Sequence, residues 1–147
     1  MRVSKNFTLG ELTKSQTALR MGIDNNPTPG DLYNLHQLCD NILQPVREHF
    51  GRPVTISSGY RSVELCLAIG SSAKSQHAKG EAADFEVLGL DNKEVATWIR
   101  DNLEFDQLIL EFYNEDDPQS GWIHCSYSDN NRKSVLKYDG KNYTQGF

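Results

Sequence analysis

The chain has 147 residues, of which 37% are hydrophobic and 24% are charged, and its formal net charge is −5. A chain of this length and composition can bury a core of its own, which excludes a disordered protein and removes any need for a metal or disulfide merely to fold. The Lys and Arg residues are scattered along an acidic chain, so the sequence argues against a nucleic-acid partner.

The first part of the chain predicts two helices. Thr8 is placed to cap a short helix over about residues 9–21. From residue 31 to residue 50, apolar residues recur at three- and four-residue steps, the pattern of an amphipathic helix. Pro45 would kink this helix and Gly51 would end it.

The remainder of the chain reads mainly as strands. Asp91 caps one further helix, and small residues predict a loop over 68–75. The strands are too closely spaced for repeated parallel crossovers. We therefore expect an α+β fold, with a mainly antiparallel sheet and helices packed on one side, in a single domain over residues 1–147. The predicted strands are residues 53–57, 82–88, 107–112, 121–127 and 134–138.

Cysteine usage and hydropathy bear on where the protein is made. Cys39, Cys66 and Cys125 are widely spaced in the chain, so buried reduced thiols are expected rather than a disulfide framework. The N-terminus lacks the apolar segment of a signal peptide, and no stretch approaches the roughly 20 apolar residues that span a bilayer. The sequence predicts synthesis in the cytoplasm, without a signal peptide or an integral membrane segment.

The densest polar cluster of the sequence suggests a metal site. His77 and Asp84 lie seven residues apart across Gly80, where a strand begins. Imidazole and carboxylate both bind zinc, and a catalytic zinc site typically has three protein ligands. The third ligand can be His124, which in its strand points to the same side as Trp122.

Two further residues are candidates for catalysis. Glu111 ends an otherwise apolar strand, where partial burial would raise its proton affinity and suit a general base. Arg61 could bind a substrate carboxylate or carbonyl through its guanidinium. Taken singly, Glu111 could instead pair with a surface lysine, Arg61 could form a surface salt bridge, and His124 could be structural.

These residues resemble a known family, the zinc D-alanyl-D-alanine carboxypeptidases, dipeptidases and L-alanyl-D-glutamate endopeptidases of bacteria and their phages. The family signature is S-x-H-x-x-G-x-A-x-D, followed later by a histidine on a strand. The matching residues here are Ser75, His77, Gly80, Ala82 and Asp84, and then Trp122-Ile-His124.

Two other segments extend the resemblance. Ser58-Gly-Tyr-Arg61 is similar to the arginine loop of the family, and residues 7–12 (FTLGEL) resemble the start of its small phage and prophage branch. The resemblance implies one zinc ion per chain, held by His77, Asp84 and His124. It also implies that Arg61 and Ser75 contact a peptidoglycan peptide substrate.

The sequence departs from the family pattern at two positions. Many members carry a catalytic acid three residues before the last ligand, but this position is Gly121 here. The branch with Q-L-I-x-E ahead of W-x-H places its carboxylate on the preceding strand, which selects Glu111. Cys66 stands where the family pattern leads us to expect asparagine.

Three functions remain open at this point. The favoured one is an endolysin-like endopeptidase, acting as a monomer on peptidoglycan stem peptides or cross-links. It would reach the cell wall after membrane permeabilisation or as a virion component. The second is a carboxypeptidase or dipeptidase that removes terminal D-alanine. The third is a non-catalytic wall-binding or virion structural module that retains a zinc fold.

Overall fold

Eight strands and six α-helices make up most of the computed structural model, which describes residues 1–147. A π-helical turn (Cys39–Leu43) and a 3₁₀ turn (Gln76–Lys79) complete the secondary structure. The strands are β1 (Arg2–Ser4), β2 (Phe7–Thr8), β3 (Val54–Ser58), β4 (Ala82–Val87), β5 (Gln107–Glu111), β6 (Trp122–Ser126), β7 (Ser134–Tyr138) and β8 (Tyr143–Gln145). The helices are α1 (Leu9–Thr13), α2 (Gln16–Met21), α3 (Pro29–Leu38), α4 (Gln44–Phe50), α5 (Val63–Ala68) and α6 (Asn92–Asn102).

The central sheet has six strands in the order β3-β4-β6-β5-β7-β8, and β1 and β2 form a separate pair. All neighbours in the sheet are antiparallel except β5 and β7, which are parallel. The structure therefore confirms the predicted α+β fold with a mainly antiparallel sheet. The chain leaves β6 on one side of β5 and enters β7 on the other side. Strand β7 then runs in the same direction as β5.

One face of the sheet packs against the helices. Alternate residues of the central strands belong to a single cluster of 22 buried side chains, which also includes the inward faces of α3, α4 and α6. Because side chains alternate between the faces of a strand, the residues between these core positions point to the opposite face. Fully buried examples from the strands are Phe85, Leu108, Leu110, Ile123 and Cys125.

The helix predicted for residues 9–21 is in fact two helices. Lys14 has extended backbone angles (φ −64°, ψ 129°), which ends α1. Ser15 then caps α2, and its hydroxyl accepts a hydrogen bond from the backbone N–H of Ala18. Such a local bond competes with a continuous helix. Thr8 caps α1 as predicted, within a capping box completed by Glu11.

The long amphipathic helix contains a π-helical turn that the sequence did not reveal. Its helical path starts at Pro29 rather than residue 31, runs through residues 39–43 with π geometry and continues as α4. The backbone N–H of Gln44 donates to the carbonyl of Cys39, five residues earlier. The wider turn accommodates Pro45, which lacks an N–H of its own. Gly51, with φ 64°, ends α4 as predicted.

Several short elements were not predicted from the sequence: β1, β2, α5, β8 and the 3₁₀ turn. Ser62 caps α5 by accepting a hydrogen bond from the backbone N–H of Leu65 at 3.2 Å. The three cysteines are free and buried, as expected. None of the helices combines the length and hydropathy that crossing a bilayer would require.

Candidate metal centre

Strand pairing brings two of the three predicted ligands together. Asp84 of β4 and His124 of β6 are direct partners across the antiparallel pair. Their chain neighbours Ala83 and Cys125 are fully buried in the core, so Asp84 and His124 share the opposite face of the sheet. His124 Nδ1 lies 2.9 Å from Asp84 Oδ1.

His77 reaches the same carboxylate from the 3₁₀ turn. The hydroxyl of Ser75 caps this turn by accepting a hydrogen bond from the backbone N–H of His77. Gly80 ends the turn in the left-handed region at φ 76°, where a side chain would also collide with the carbonyl of Asp31 in α3. This glycine of the signature thus has a backbone role. His77 Nε2 lies 3.5 Å from Asp84 Oδ1.

A backbone carbonyl fixes the orientation of the His77 ring. His77 Nδ1 lies 2.7 Å from the carbonyl oxygen of Gly59, so a proton on Nδ1 donates to this carbonyl and leaves the Nε2 lone pair facing Asp84. Ligating histidines commonly have such a second hydrogen bond. Gly59 itself packs against the backbone of Leu12 with no space for a side chain.

The three side chains could hold a metal ion such as zinc. Their ligand atoms lie within 4.8 Å of one another. Ligand distances of about 2.0–2.2 Å in a tetrahedral zinc site separate the ligand atoms by about 3.3–3.6 Å. The His77–Asp84 distance of 3.5 Å falls in this range, and the His124–Asp84 distance of 2.9 Å is slightly shorter. Two imidazoles with one carboxylate are also a donor set that zinc prefers.

Burial and neighbouring groups together set the protonation of His77 and Asp84. His77 is only 3% exposed, and this burial lowers the pKa of its imidazole, although Asp84 acts in the opposite direction. Burial alone would raise the pKa of Asp84, but the close approach of the His124 and His77 rings outweighs it and holds that pKa below its usual range. A neutral imidazole and an ionised carboxylate are the forms that bind a metal.

Glu111 lies in the same cavity as the three ligands, a cleft of about 440 Å³. It is the partner of Trp122 across the β5–β6 pair, and therefore shares the face of His124. Burial, followed by the negative charge of Asp84, raises the pKa of the Glu111 carboxyl. A carboxylate with raised proton affinity inside a cleft can accept a proton from a reacting water.

The backbone at position 121 excludes a carboxylate side chain there. Gly121 has φ 64°, and a side chain would run into the carbonyl of Glu111 and the backbone of Phe112. Only glycine fits this turn between the two strands. A carboxylate three residues before His124 is therefore incompatible with this backbone, and Glu111 is the carboxylate available to the cavity besides Asp84.

Arg61 also borders the cleft that contains the three potential ligands, which we call the metal cavity. Its guanidinium has no protein partner. It forms no salt bridge, and its Nε is buried without a hydrogen bond. Its backbone is held in place, because the Arg61 N–H donates to the carbonyl of His77 at 3.1 Å. The Cys66 thiol donates a hydrogen bond to the backbone carbonyl of Arg61, with a sulfur–oxygen distance of 3.5 Å. Ser75 lines the cavity as well.

A comparison with protein-family models identifies the class of protein. The model of the family described as peptidase M15 matches residues 5–126, most of the chain. The chain belongs to the peptidase M15 family. A search of curated protein sequences finds no match to it.

Membership implies a zinc-dependent metallopeptidase, and the His77, Asp84 and His124 cluster of this M15 chain could hold the metal. The match ends at the last residue of β6. Strands β7 and β8 lie outside it, yet β8 contributes Tyr143 to the rim of the cavity.

One supporting residue of this M15 site was missed in the sequence. Asp106 is 4% exposed and accepts hydrogen bonds from Arg132 and from Gln76, the neighbour of His77. It thereby ties the turn that carries His77 to the start of β5. No short motif links residues 76, 106 and 132, so only the folded chain reveals this cluster.

Proposed function

We propose that this M15 chain is a single zinc peptidase domain over residues 1–147, which hydrolyses peptide bonds in bacterial peptidoglycan stem peptides or cross-links. His77, Asp84 and His124 are the proposed ligands of one zinc ion, Glu111 the general base, and Arg61 and Ser75 the substrate contacts. We further propose that it acts as a monomer at the cell wall, which it reaches after membrane permeabilisation or as part of a virion.

One observation carries the proposal. Three potential ligands, from a 3₁₀ turn and two strands, converge on one face of the sheet with their ligand atoms within 4.8 Å, and a fourth ionisable group, Glu111, lines the same cavity. A structural cluster would not require a separate, partly buried carboxylate beside three potential metal ligands. Groups with shifted pKa values in a cleft are typical of catalytic sites.

A zinc ion in such a site supplies Lewis acidity, which polarises a carbonyl and makes water more acidic. The protein supplies the remaining steps. Glu111 accepts the proton of the attacking water and afterwards delivers it to the leaving amine. The guanidinium of Arg61 faces the negative charge that develops on the substrate. Trp122 and Ile109 line the cleft and reduce the access of bulk water to these charges.

The Glu111→Gln variant tests the proposal on purified peptidoglycan, with peptide release followed by mass spectrometry. We expect it to keep stoichiometric zinc and to lose about 100- to 10,000-fold in turnover, because the amide cannot accept the proton. Glu104→Gln is the matched control, since the Glu104 side chain is 74% exposed and lies outside the cavity. Equal turnover of the wild type and Glu111→Gln would contradict the proposed role.

The same assay separates endopeptidase from carboxypeptidase activity. Intact sacculi and short peptides ending in D-alanyl-D-alanine are incubated with the zinc-loaded protein, and the products are identified by mass. An endopeptidase releases internal fragments from sacculi, whereas a carboxypeptidase releases free D-alanine. If the protein binds sacculi and cuts neither substrate, it is a wall-binding module and the hydrolase proposal is wrong.

A further inference from the structure

A second cavity lies on the other side of Arg61. Its volume is about 400 Å³, close to the roughly 440 Å³ of the metal cavity, and Arg61 is the residue that lines both. We call it the Lys14 cavity. Both volumes lie near the lower end of the range for ligand sites, about 300–1,000 Å³, so a peptide of several residues would extend beyond either one. The Lys14 cavity is formed by β3, by α5 and by the junction of α1 and α2.

Charge distinguishes the two cavities. The Lys14 cavity contains two cationic side chains, Lys14 and Arg61, and no Asp or Glu, whereas the metal cavity contains Asp84 and Glu111. Neither cation forms a salt bridge within the protein, although the chain carries a net charge of −5. Two unpaired cations in an acid-free concave site favour an anionic ligand.

The uncharged lining suits the rest of a peptide. Ile56, Leu65 and Ile69 provide the apolar surface. Ser57 and Ser58 of β3 add polar residues to the lining. A few polar groups set among apolar side chains are typical of sites that orient a small organic ligand.

Asn25 fixes the segment that carries Lys14 relative to the segment that carries Arg61. Its Nδ2 donates to the carbonyl of Thr13, the neighbour of Lys14, at 2.7 Å and to the carbonyl of Tyr60, the neighbour of Arg61, at 3.1 Å. Its Oδ1 accepts from the backbone N–H of Ser62 at 2.7 Å. One side chain therefore links the α1–α2 junction to the arginine loop, so the cavity is organised before a ligand binds.

We propose that the Lys14 cavity is a substrate subsite for a free carboxylate of the peptide, at a distance from the bond being cut. In this arrangement the peptide crosses Arg61, with its scissile bond in the metal cavity and its carboxylate beside Lys14. This inference rests on the proposed function, because it assumes that a peptide occupies the metal cavity. It makes Lys14 a specificity-determining residue that distinguishes a carboxylate from an amide in otherwise identical peptides.

The test uses two stem peptides of identical sequence. In one, the carboxylate that the proposal places beside Lys14 is free, and in the other it is amidated. Affinity is measured by titration calorimetry on zinc-loaded Glu111→Gln protein, so that turnover does not interfere. We expect the free carboxylate to bind about tenfold more tightly, which corresponds to about 1.4 kcal/mol. Adding Lys14→Gln should bring the two affinities within about twofold. Adding Lys5→Gln, which changes an exposed lysine outside both cavities, should leave the preference intact.

The outcomes separate this inference from the proposed function. Equal affinities for the two peptides, or a preference that survives Lys14→Gln, would overturn the subsite whether or not the wild type cuts them. A preference that disappears with Lys14→Gln, in a protein that cuts neither peptide, would support the subsite and refute the hydrolase. Cleavage of both peptides with equal KM would support the hydrolase and refute the subsite.

Discussion

The replacement Asp106→Asn tests how much the buried carboxylate next to the metal centre contributes to the stability of the fold. Asp106 accepts three hydrogen bonds from Arg132, one from its backbone N–H and two from its guanidinium, and a fourth from Gln76 Nε2 at 2.9 Å. In asparagine an NH2 group replaces one of the two carboxylate oxygens. Each oxygen accepts two of the four bonds, and an NH2 group cannot accept them, so two bonds are lost. Each such bond contributes about 1–1.5 kcal/mol, after discounting the guanidinium bonds because the Arg132 side chain is 58% exposed.

We therefore expect the free energy of unfolding to fall by about 2–3 kcal/mol at pH 7. The pH dependence has a definite sign. Burial alone would raise the pKa of Asp106, but the hydrogen bonds from Arg132 and Gln76 outweigh it and lower that pKa. The stabilisation is thus present above the unfolded-state pKa of about 3.9 and is lost as the pH falls through the lower folded-state pKa.

Urea denaturation of the wild type and Asp106→Asn, at pH 7 and at a series of values below pH 4, measures both effects. Asp101→Asn is the control, because Asp101 also pairs with an arginine but its side chain is 55% exposed, so its free energy of unfolding should stay close to that of the wild type. The reasoning is refuted if Asp106→Asn lowers the free energy of unfolding at pH 7 no more than Asp101→Asn does. It is also refuted if the difference between Asp106→Asn and the wild type grows as the pH falls.

Two glycines give further predictions. Gly59→Ala has no space beside Leu12, so it should shift the carbonyl that orients His77 and weaken zinc binding about 10- to 100-fold, measured by competition with a chelator; unchanged affinity would show that this hydrogen bond is unimportant. Gly121→Ala adds left-handed strain and a collision with the Glu111 carbonyl, so the free energy of unfolding should fall by about 2 kcal/mol or more. Denaturant titration checks this second prediction, and a wild-type midpoint would contradict it.

The ligand cluster was predictable because its determinants are local. The signature fixes the spacing of His77 and Asp84, and the two-residue period of a strand separates His124 from Cys125, which packs in the core. Glu111 followed from its place at the end of an otherwise apolar strand and from the resemblance to the family. Each of these inferences needed only the sequence within a few residues of the site and the resemblance to a family.

The remaining features depend on contacts between distant parts of the chain. The bond from His77 to the Gly59 carbonyl crosses 18 residues, and the bond from Gln76 to Asp106 crosses 30. Lys14 gained significance only because the helix predicted for residues 9–21 breaks there and Asn25 ties the break to the arginine loop. Hydrophobic periodicity does not report such polar links, since each depends on the tertiary arrangement.

Zinc stoichiometry tests the central claim most directly. The purified protein is loaded with zinc, dialysed and analysed for metal by mass spectrometry, alongside His124→Ala and the control His36→Ala, which changes a histidine on α3 outside the cluster. We predict one zinc per chain in the wild type and in His36→Ala, and less than a tenth of that in His124→Ala. A wild type without stoichiometric metal, or a His124→Ala protein that retains it, would contradict the assignment of the metal centre.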